Sequence, residues 1–254
     1  MRQGRDRAGF TLLEVIIASI IFALLIVMTM SLLSHSLSTA EMDILQTHVE
    51  NQVQDAVDVV VQDLKETSPR LRTTYAFAEG GFTQTAICFP TARNQATGAF
   101  IYKKGTVVQS SPVWQAMEIV CYVKNPNRND GWVYKYFDYS TTRNYANPVT
   151  VTSITSSQIR LSDNTTISRL GALAGNQKRV QVQGRFLQIQ AQMPCQVCSF
   201  MPLPATLVCP SCGASSPGPM QLTVRSSCEH QAATLRGSTV VTTLTNEALS
   251  RNEN

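Results

Sequence analysis

Residues 7–25 read RAGFTLLEVIIASIIFALL. The apolar run opens at Phe10, continues to Leu33 and holds one charge, Glu14. A helix over those 24 residues would cover about 36 Å, enough to cross a hydrocarbon core of roughly 30 Å. A lone carboxylate inside a membrane helix costs on the order of a few kcal/mol. A chain that keeps one there has a partner for it, or lets it reach the headgroups near the helix start.

The flanks set the orientation. Arg2, Arg5 and Arg7 precede the run and few basic residues follow it closely, so the N-terminus is expected in the cytoplasm and the rest outside. The run is too long for the apolar part of a cleaved secretory signal, and no small-residue cleavage site follows it. Of the net charge of +4, the first nine residues hold +2. The remaining +2 gives no reason to expect nucleic acid as a partner. With 43% hydrophobic and 15% charged residues, the chain is not disordered.

Gly9 separates a short basic leader from Phe10, Thr11, Leu12, Leu13 and Glu14, and then the apolar helix. In this order the residues resemble the opening of the type IV pilin and pseudopilin superfamily, in its class with short leaders. The resemblance implies that a prepilin peptidase cuts between Gly9 and Phe10 and methylates the new N-terminal Phe10. Glu14 then becomes the fifth residue of the mature chain and an assembly contact. The chemistry agrees. Cleavage creates an α-amino cation on Phe10 with an ordinary pKa of about 7.7–8.0. Pairing Glu14 with the amine of a neighbouring subunit would offset its burial and fix the stagger between helices. The other partners implied are further pilins or pseudopilins and the lipid of the bacterial inner membrane. The head would lie outside that membrane before incorporation into a pilus or pseudopilus.

No Gly or Pro interrupts residues 10–68, so one long rod is expected. In its second half Met42, Leu45, Val49, Val53, Ala56, Val60 and Leu64 recur at steps of three and four, a stripe for packing on a head. Pro69 should end the helix by pushing Ser68 out of helical geometry. The ending VVVQDLKETSP, residues 59–69, is similar to the same helix in the larger minor subunits, of the J or W type.

Beyond Leu71 the signals are β. TAICFP (85–90), GAFIYKKGTVV (98–108), AMEIVCYVK (116–124) and GWVYKYFDYS (131–140) read as strands, the last two joined by a hairpin loop with Asp130-Gly131 at its turn. PVTVTSITSSQIRLS (148–162) holds one or two more. KRVQVQGRFLQIQAQM (178–193) alternates but changes phase at Gly184, which predicts a bulge. MQLTVRSS (220–227) and STVVTTLT (238–245) are expected to complete a sheet. TAICFPTARN (85–94) followed by PVWQAMEIVCYV (112–123) also resembles pilin-like minor subunits, and Trp114 and Trp132 read as packing residues.

The expected fold is therefore α+β, a long N-terminal helix packed on an antiparallel sheet head. The divisions are a leader (1–9), a transmembrane half of the helix (10–36), an amphipathic half (37–68) and a β-rich extracytoplasmic head (69–254).

Four of the seven cysteines are grouped as Cys195-Gln-Val-Cys198 and Cys209-Pro-Ser-Cys212, the second pair followed by Gly213. Each pair can form a knuckle aiming two thiolates at one point, and two knuckles complete the tetrahedral shell that Zn²⁺ prefers. The group lies between two strands and reads as a zinc-ribbon-like lobe inserted at 194–213. Four thiolates leave no open position, which favours a structural metal over a catalytic one. Two disulfides in the same loop are the competing reading, since the head lies where oxidation is usual. Cys88, Cys121 and Cys228 read as buried thiols, with a Cys88–Cys121 bridge left to geometry.

No nucleophile elbow, zinc-protease, P-loop or dinucleotide fingerprint appears, and His35, His48 and His230 are scattered. Three functions remain: a minor pilin or pseudopilin that starts or caps a filament, a binding module using the four-cysteine lobe, and a membrane-anchored extracytoplasmic metalloenzyme.

Overall fold

The computed structural model describes residues 11–104, 110–125, 127, 131–140, 143–185, 187–195, 197–198, 208–214, 220–229 and 239–248. Gly9 and Phe10, Asp130 and the loop residues 105–109 fall outside them.

The helix α1 runs unbroken over Leu12–Lys65, as the absence of Gly and Pro predicts. Its two halves meet different surroundings. From Leu12 to Leu37 the large apolar side chains face outward on every side, with Leu12 at 80% and Phe22 at 65% exposure. From Val49 onward one face is buried: Val49, Val53, Ala56, Val57, Val60, Val61 and Leu64. The helix stops at Glu66, and a short 3-10 turn, Pro69–Leu71, redirects the chain into the head. Arg72, itself buried, reaches back and donates to the Leu64 carbonyl at 2.7 Å, satisfying one of the helix's orphan acceptors.

Thirteen strands are assigned among the described residues. The central sheet is antiparallel and five-stranded, with β1 (Thr73–Glu79), β2 (Phe82–Thr91), β5 (Ala116–Lys124), β6 (Gly131–Asp138) and β10 (Gln177–Arg185) side by side in that order. The expected hairpin between residues 116–124 and 131–138 is present, Lys124 pairing with Gly131. Gly131 has no room for a side chain, because a Cβ there would lie 2.2 Å from the Tyr122 hydroxyl. The register of β10 on β6 shifts between Val182 and Arg185, which places the irregularity at the phase change expected at Gly184.

The strands expected at 220–227 and 238–245 do complete a sheet, one apart from the central five: β11 (Leu187–Gln192), β12 (Met220–Glu229) and β13 (Thr239–Ala248) lie side by side in it. β3 (Tyr102–Lys104) and β4 (Ser110–Pro112) form a small ribbon, and Tyr102–Lys104 is the strand among the described residues of the 98–108 stretch. β7 (Val151–Ile154), β8 (Gln158–Leu161) and β9 (Thr166–Ser168) form a further three-stranded sheet.

Both faces of the central sheet are covered. On one face, Ile87 and Phe89 of β2, Val120 and Tyr122 of β5, and Val133 pack with the stripe of α1 and with Ile189, Ala191, Met220 and Leu222 of the second sheet. The helix stripe is thus enclosed by two sheets. On the other face, Cys88, Ile119, Cys121 and Tyr136 pack with Val151, Ile159, Leu161 and Ile167. Cys88 and Cys121 are buried free thiols. The pairing of Cys88 with Ile119 leaves Cys121 a diagonal neighbour rather than a bridge partner. Burial pushes both thiols up to about 12, which keeps them protonated and unreactive. The side chain of Cys228 lies outside the described set. Trp114 and Trp132 are half-buried.

The helix is fixed to the head by charge as well as by apolar packing. Lys135 of β6 pairs with Asp63 of α1, donates to the Val59 carbonyl at 3.1 Å and lies 3.7 Å from the fully buried Glu118 of β5. Arg93 donates to Glu66 at 2.7 Å and lies 3.6 Å from Asp63. Three carboxylates therefore share two cations. Burial and the neighbouring Asp63 carboxylate push the Glu118 carboxyl well above its ordinary range.

Candidate functional site

Two places carry chemistry beyond packing: the start of α1 and the four-cysteine lobe.

At the start of α1, Thr11 is the N-cap. The Glu14 N–H donates to Thr11 Oγ1 at 3.3 Å, and the Thr11 N–H donates to Glu14 Oε2 at 2.9 Å. The Thr11 hydroxyl donates to the same carboxylate oxygen at 3.0 Å. This is a capping box, in which each end satisfies the other's orphan group. The carboxylate also sits at the positive end of the helix dipole. The pattern Thr-x-x-Glu was present in the sequence and is what the reading of Glu14 as an isolated acid passed over. Glu14 therefore has a local partner in a single chain, on the side of the helix end where Phe10 joins.

The large apolar side chains of the segment behind it are exposed among the described residues. The 54-residue helix is long and apolar enough to cross a membrane. The sequence model of a family described as the prokaryotic N-terminal methylation motif matches residues 4–30. The chain carries a prepilin-type signal of the type IV pilin superfamily. The match spans Gly9, Phe10 and Glu14 together with most of the exposed half of α1. It fits a membrane-anchored, pilin-like protein processed by prepilin peptidase and assembled with other pilins. No curated protein and no solved structure gives a significant match.

The four-cysteine lobe is the second place. β11 leads into Cys195, and Cys209 to Cys212 form a tight turn ahead of β12. Gly213 closes that turn with a left-handed φ of 69°, donating its N–H to the Cys209 carbonyl at 2.8 Å. The Cys209 N–H in turn donates to the Ala214 carbonyl at 2.9 Å. A glycine takes this left-handed backbone without strain. The knuckles bring Cys195, Cys198, Cys209 and Cys212 together, with all four sulfurs within 4.8 Å of one another. Cys195 Sγ lies 3.5 Å from Cys212 Sγ, and Cys198 Sγ lies 3.4 Å from Cys209 Sγ. Cys195 and Cys209 are buried, whereas Cys198 and Cys212 face solvent.

Backbone amides tune the sulfurs. The N–H groups of Cys198 and Val197 hold the Cys195 thiol below its ordinary range. For Cys209, burial raises the pKa, but the N–H groups of Cys212 and Ser211 outweigh it and bring the thiol down to about 6. Cys212 shows the converse. The Ala214 N–H favours its thiolate, yet burial and the three neighbouring sulfurs drive it up to about 12. The set thus shares protons as one unit, with amides aimed at sulfur where thiolates would form.

Proposed function

We propose that this chain is a minor pilin or pseudopilin, a structural subunit of a type IV pilus or type II secretion pseudopilus that acts in filament initiation or at the tip. The observation that carries this reading is the methylation motif over residues 4–30, continuous with a helix half whose large apolar side chains are exposed among the described residues. A helix apolar on all sides is at home in lipid or inside a bundle of like helices. Cleavage would fall between Gly9 and Phe10, with N-methylation at Phe10. Residues 1–9 would be the leader, 10–36 the transmembrane half, 37–68 the amphipathic half and 69–254 the extracytoplasmic head. The head would stand outside a bacterial inner membrane with the N-terminus in the cytoplasm. Glu14 would exchange its Thr11 cap for the Phe10 amine of a neighbouring subunit. The likeness of residues 59–69 to J- and W-type subunits supports the minor role. In this reading the four-cysteine lobe, residues 194–213, is a structural element held by Zn²⁺ rather than by two disulfides, and the chain is not an enzyme.

A second reading, a binding module carried on such a filament, draws on one observation. Val197 is 67% and Val208 44% exposed beside the knuckles, so the lobe presents apolar side chains to its surroundings. Co-expression with a prepilin peptidase tests the first reading. An N-terminal N-methyl Phe10 by mass spectrometry is the expected product. An uncut chain, or a cut elsewhere, would overturn it.

A further inference from the structure

We infer that Cys195, Cys198, Cys209 and Cys212 bind one Zn²⁺, and that this metal is the staple that closes the β11–β12 connection and so holds the second sheet against α1. The inference rests on the structural reading of the lobe given above.

The geometry fits the ion. With Zn–S bonds of about 2.3 Å, the sulfurs of a tetrahedral site stand roughly 3.8 Å apart. The observed sulfurs, with two pairs at 3.4 and 3.5 Å and none beyond 4.8 Å, are close to that spacing. The donors suit a soft, tetrahedral site, since all four are sulfur and two come from each knuckle. The amide N–H groups of Val197, Cys198, Ser211, Cys212 and Ala214 already point at sulfur and would share the charge of four thiolates. With four ligands in place, no coordination position remains for water or substrate.

The location gives the metal a mechanical task. β11 and β12 pair antiparallel from Leu187–Ser226 to Gln192–Gln221, yet residues 193–219 connect them, far longer than a hairpin loop. The chain enters and leaves this loop from the core. Met193 and Met220 are both buried with Val53, Val57 and Val60 of α1. Cys195 is two residues past Met193. Joining Cys195 to Cys212 through a metal removes most of the loop, leaving about eleven effective residues out of about 27. On the three-halves power of loop length, closure becomes roughly fourfold more favourable.

The test uses the full chain in detergent. Expression with zinc in the medium is expected to give one zinc per chain by metal analysis. Exchange for Co²⁺ is expected to give the thiolate charge-transfer and tetrahedral d–d bands of a four-sulfur site. The doubly substituted chain, Cys195→Ser with Cys209→Ser, should lose both. Recovery of a metal-free chain, whether its four cysteines are bridged or reduced, would overturn the site. For the staple, the wild-type chain is stripped with a chelator, which avoids variants that fail to fold. Amide exchange in β11 and β12 should speed at least about fourfold while β2, β5 and β6 are unchanged. Unchanged exchange in β11 and β12, or equal speeding of every sheet, would overturn it. Cleavage at Gly9 requires no metal, so a cleaved, zinc-free chain defeats this inference alone, and an uncut, zinc-loaded chain defeats only the filament reading.

Discussion

The two halves of α1 share one backbone and one set of helical hydrogen bonds, yet they obey different rules of placement. Between Leu12 and Leu37 every large apolar side chain is exposed; between Val49 and Leu64 a buried face is enclosed by two sheets and pinned by Lys135 and Arg93. What separates them is where the partners lie. The second half finds its partners within residues 73–248 of the same chain. The first finds none there, and its only polar anchor among the described residues of the first turn is the Thr11–Glu14 box. A solvated helix with that surface would be an aggregation liability, so it belongs in lipid or among other helices. The head reports on folding, and the naked half reports on assembly.

That division is broken most severely by Glu14→Gln. Filament incorporation, measured by co-purification with the other pilins, is expected to fall by more than tenfold, while the thermal midpoint of the head stays unchanged. A shift in both would erase the distinction between the halves. Next in size is Lys135→Met, which leaves Asp63 and Glu118 buried without their shared cation. Breaking such a buried pair costs about 3–5 kcal/mol, read as a lowered denaturant midpoint. Leu64→Ala should cost about 2–5 kcal/mol by opening a cavity where exposure is now zero. The matched change Leu24→Ala, on the naked half, should leave head stability unchanged within about 0.5 kcal/mol.

The junction also predicts a pH dependence. Glu118 has its carboxyl raised above the ordinary value of 4.5 by burial and then by Asp63, while Lys135 opposes the shift. The folded chain therefore retains a proton that the unfolded chain releases. The stability this contributes is fully present below about 4.5 and is lost as pH rises through the folded value. Glu118→Gln removes that step. Its unfolding midpoint should fall less than that of the natural chain between pH 5 and pH 9, and an identical decline in both would show that Glu118 titrates normally.

How much of this was legible follows from where each signal resides. The rod was readable because residues 10–68 lack Gly and Pro and carry a three-four stripe. Val57 and Val61 were missed because a helix packed on one surface buries a narrow stripe, whereas this one lies between two sheets and buries a wider arc. Strands such as Ala116–Lys124 were readable from composition and not from alternation, since both faces of the central sheet are covered. For the same reason the division of the strands between sheets was not readable. Hydrophobic patterning tells which residues are covered and not by which element. Lys135 and Asp63 lie 72 residues apart in sequence, and neither residue type marks the other. The four-cysteine set was the opposite case, because ligand chemistry needs pairs at fixed spacing and that spacing survives in the linear chain.

The smallest effect discriminates most finely. Thr11→Ala deletes the cap that now holds Glu14, removing the hydroxyl that accepts from the Glu14 N–H. Lost caps cost about 0.5–2 kcal/mol, and here the cost should be confined to the first turn, seen as faster amide exchange at Val15 with the head unchanged. If Glu14 served the chain only as half of a capping box, Glu14→Gln would impair assembly no more than Thr11→Ala, since a glutamine there can still accept from the Thr11 N–H. If its carboxylate leaves the cap to meet the Phe10 amine of a neighbour, the two variants part. Thr11→Ala frees the carboxylate and should leave incorporation within about threefold of the natural chain, whereas Glu14→Gln removes the charge that the amine requires. A Glu14→Gln loss no larger than that of Thr11→Ala would make Glu14 a local device of the naked half; a much larger one would make it a polar residue whose proper partner is another chain.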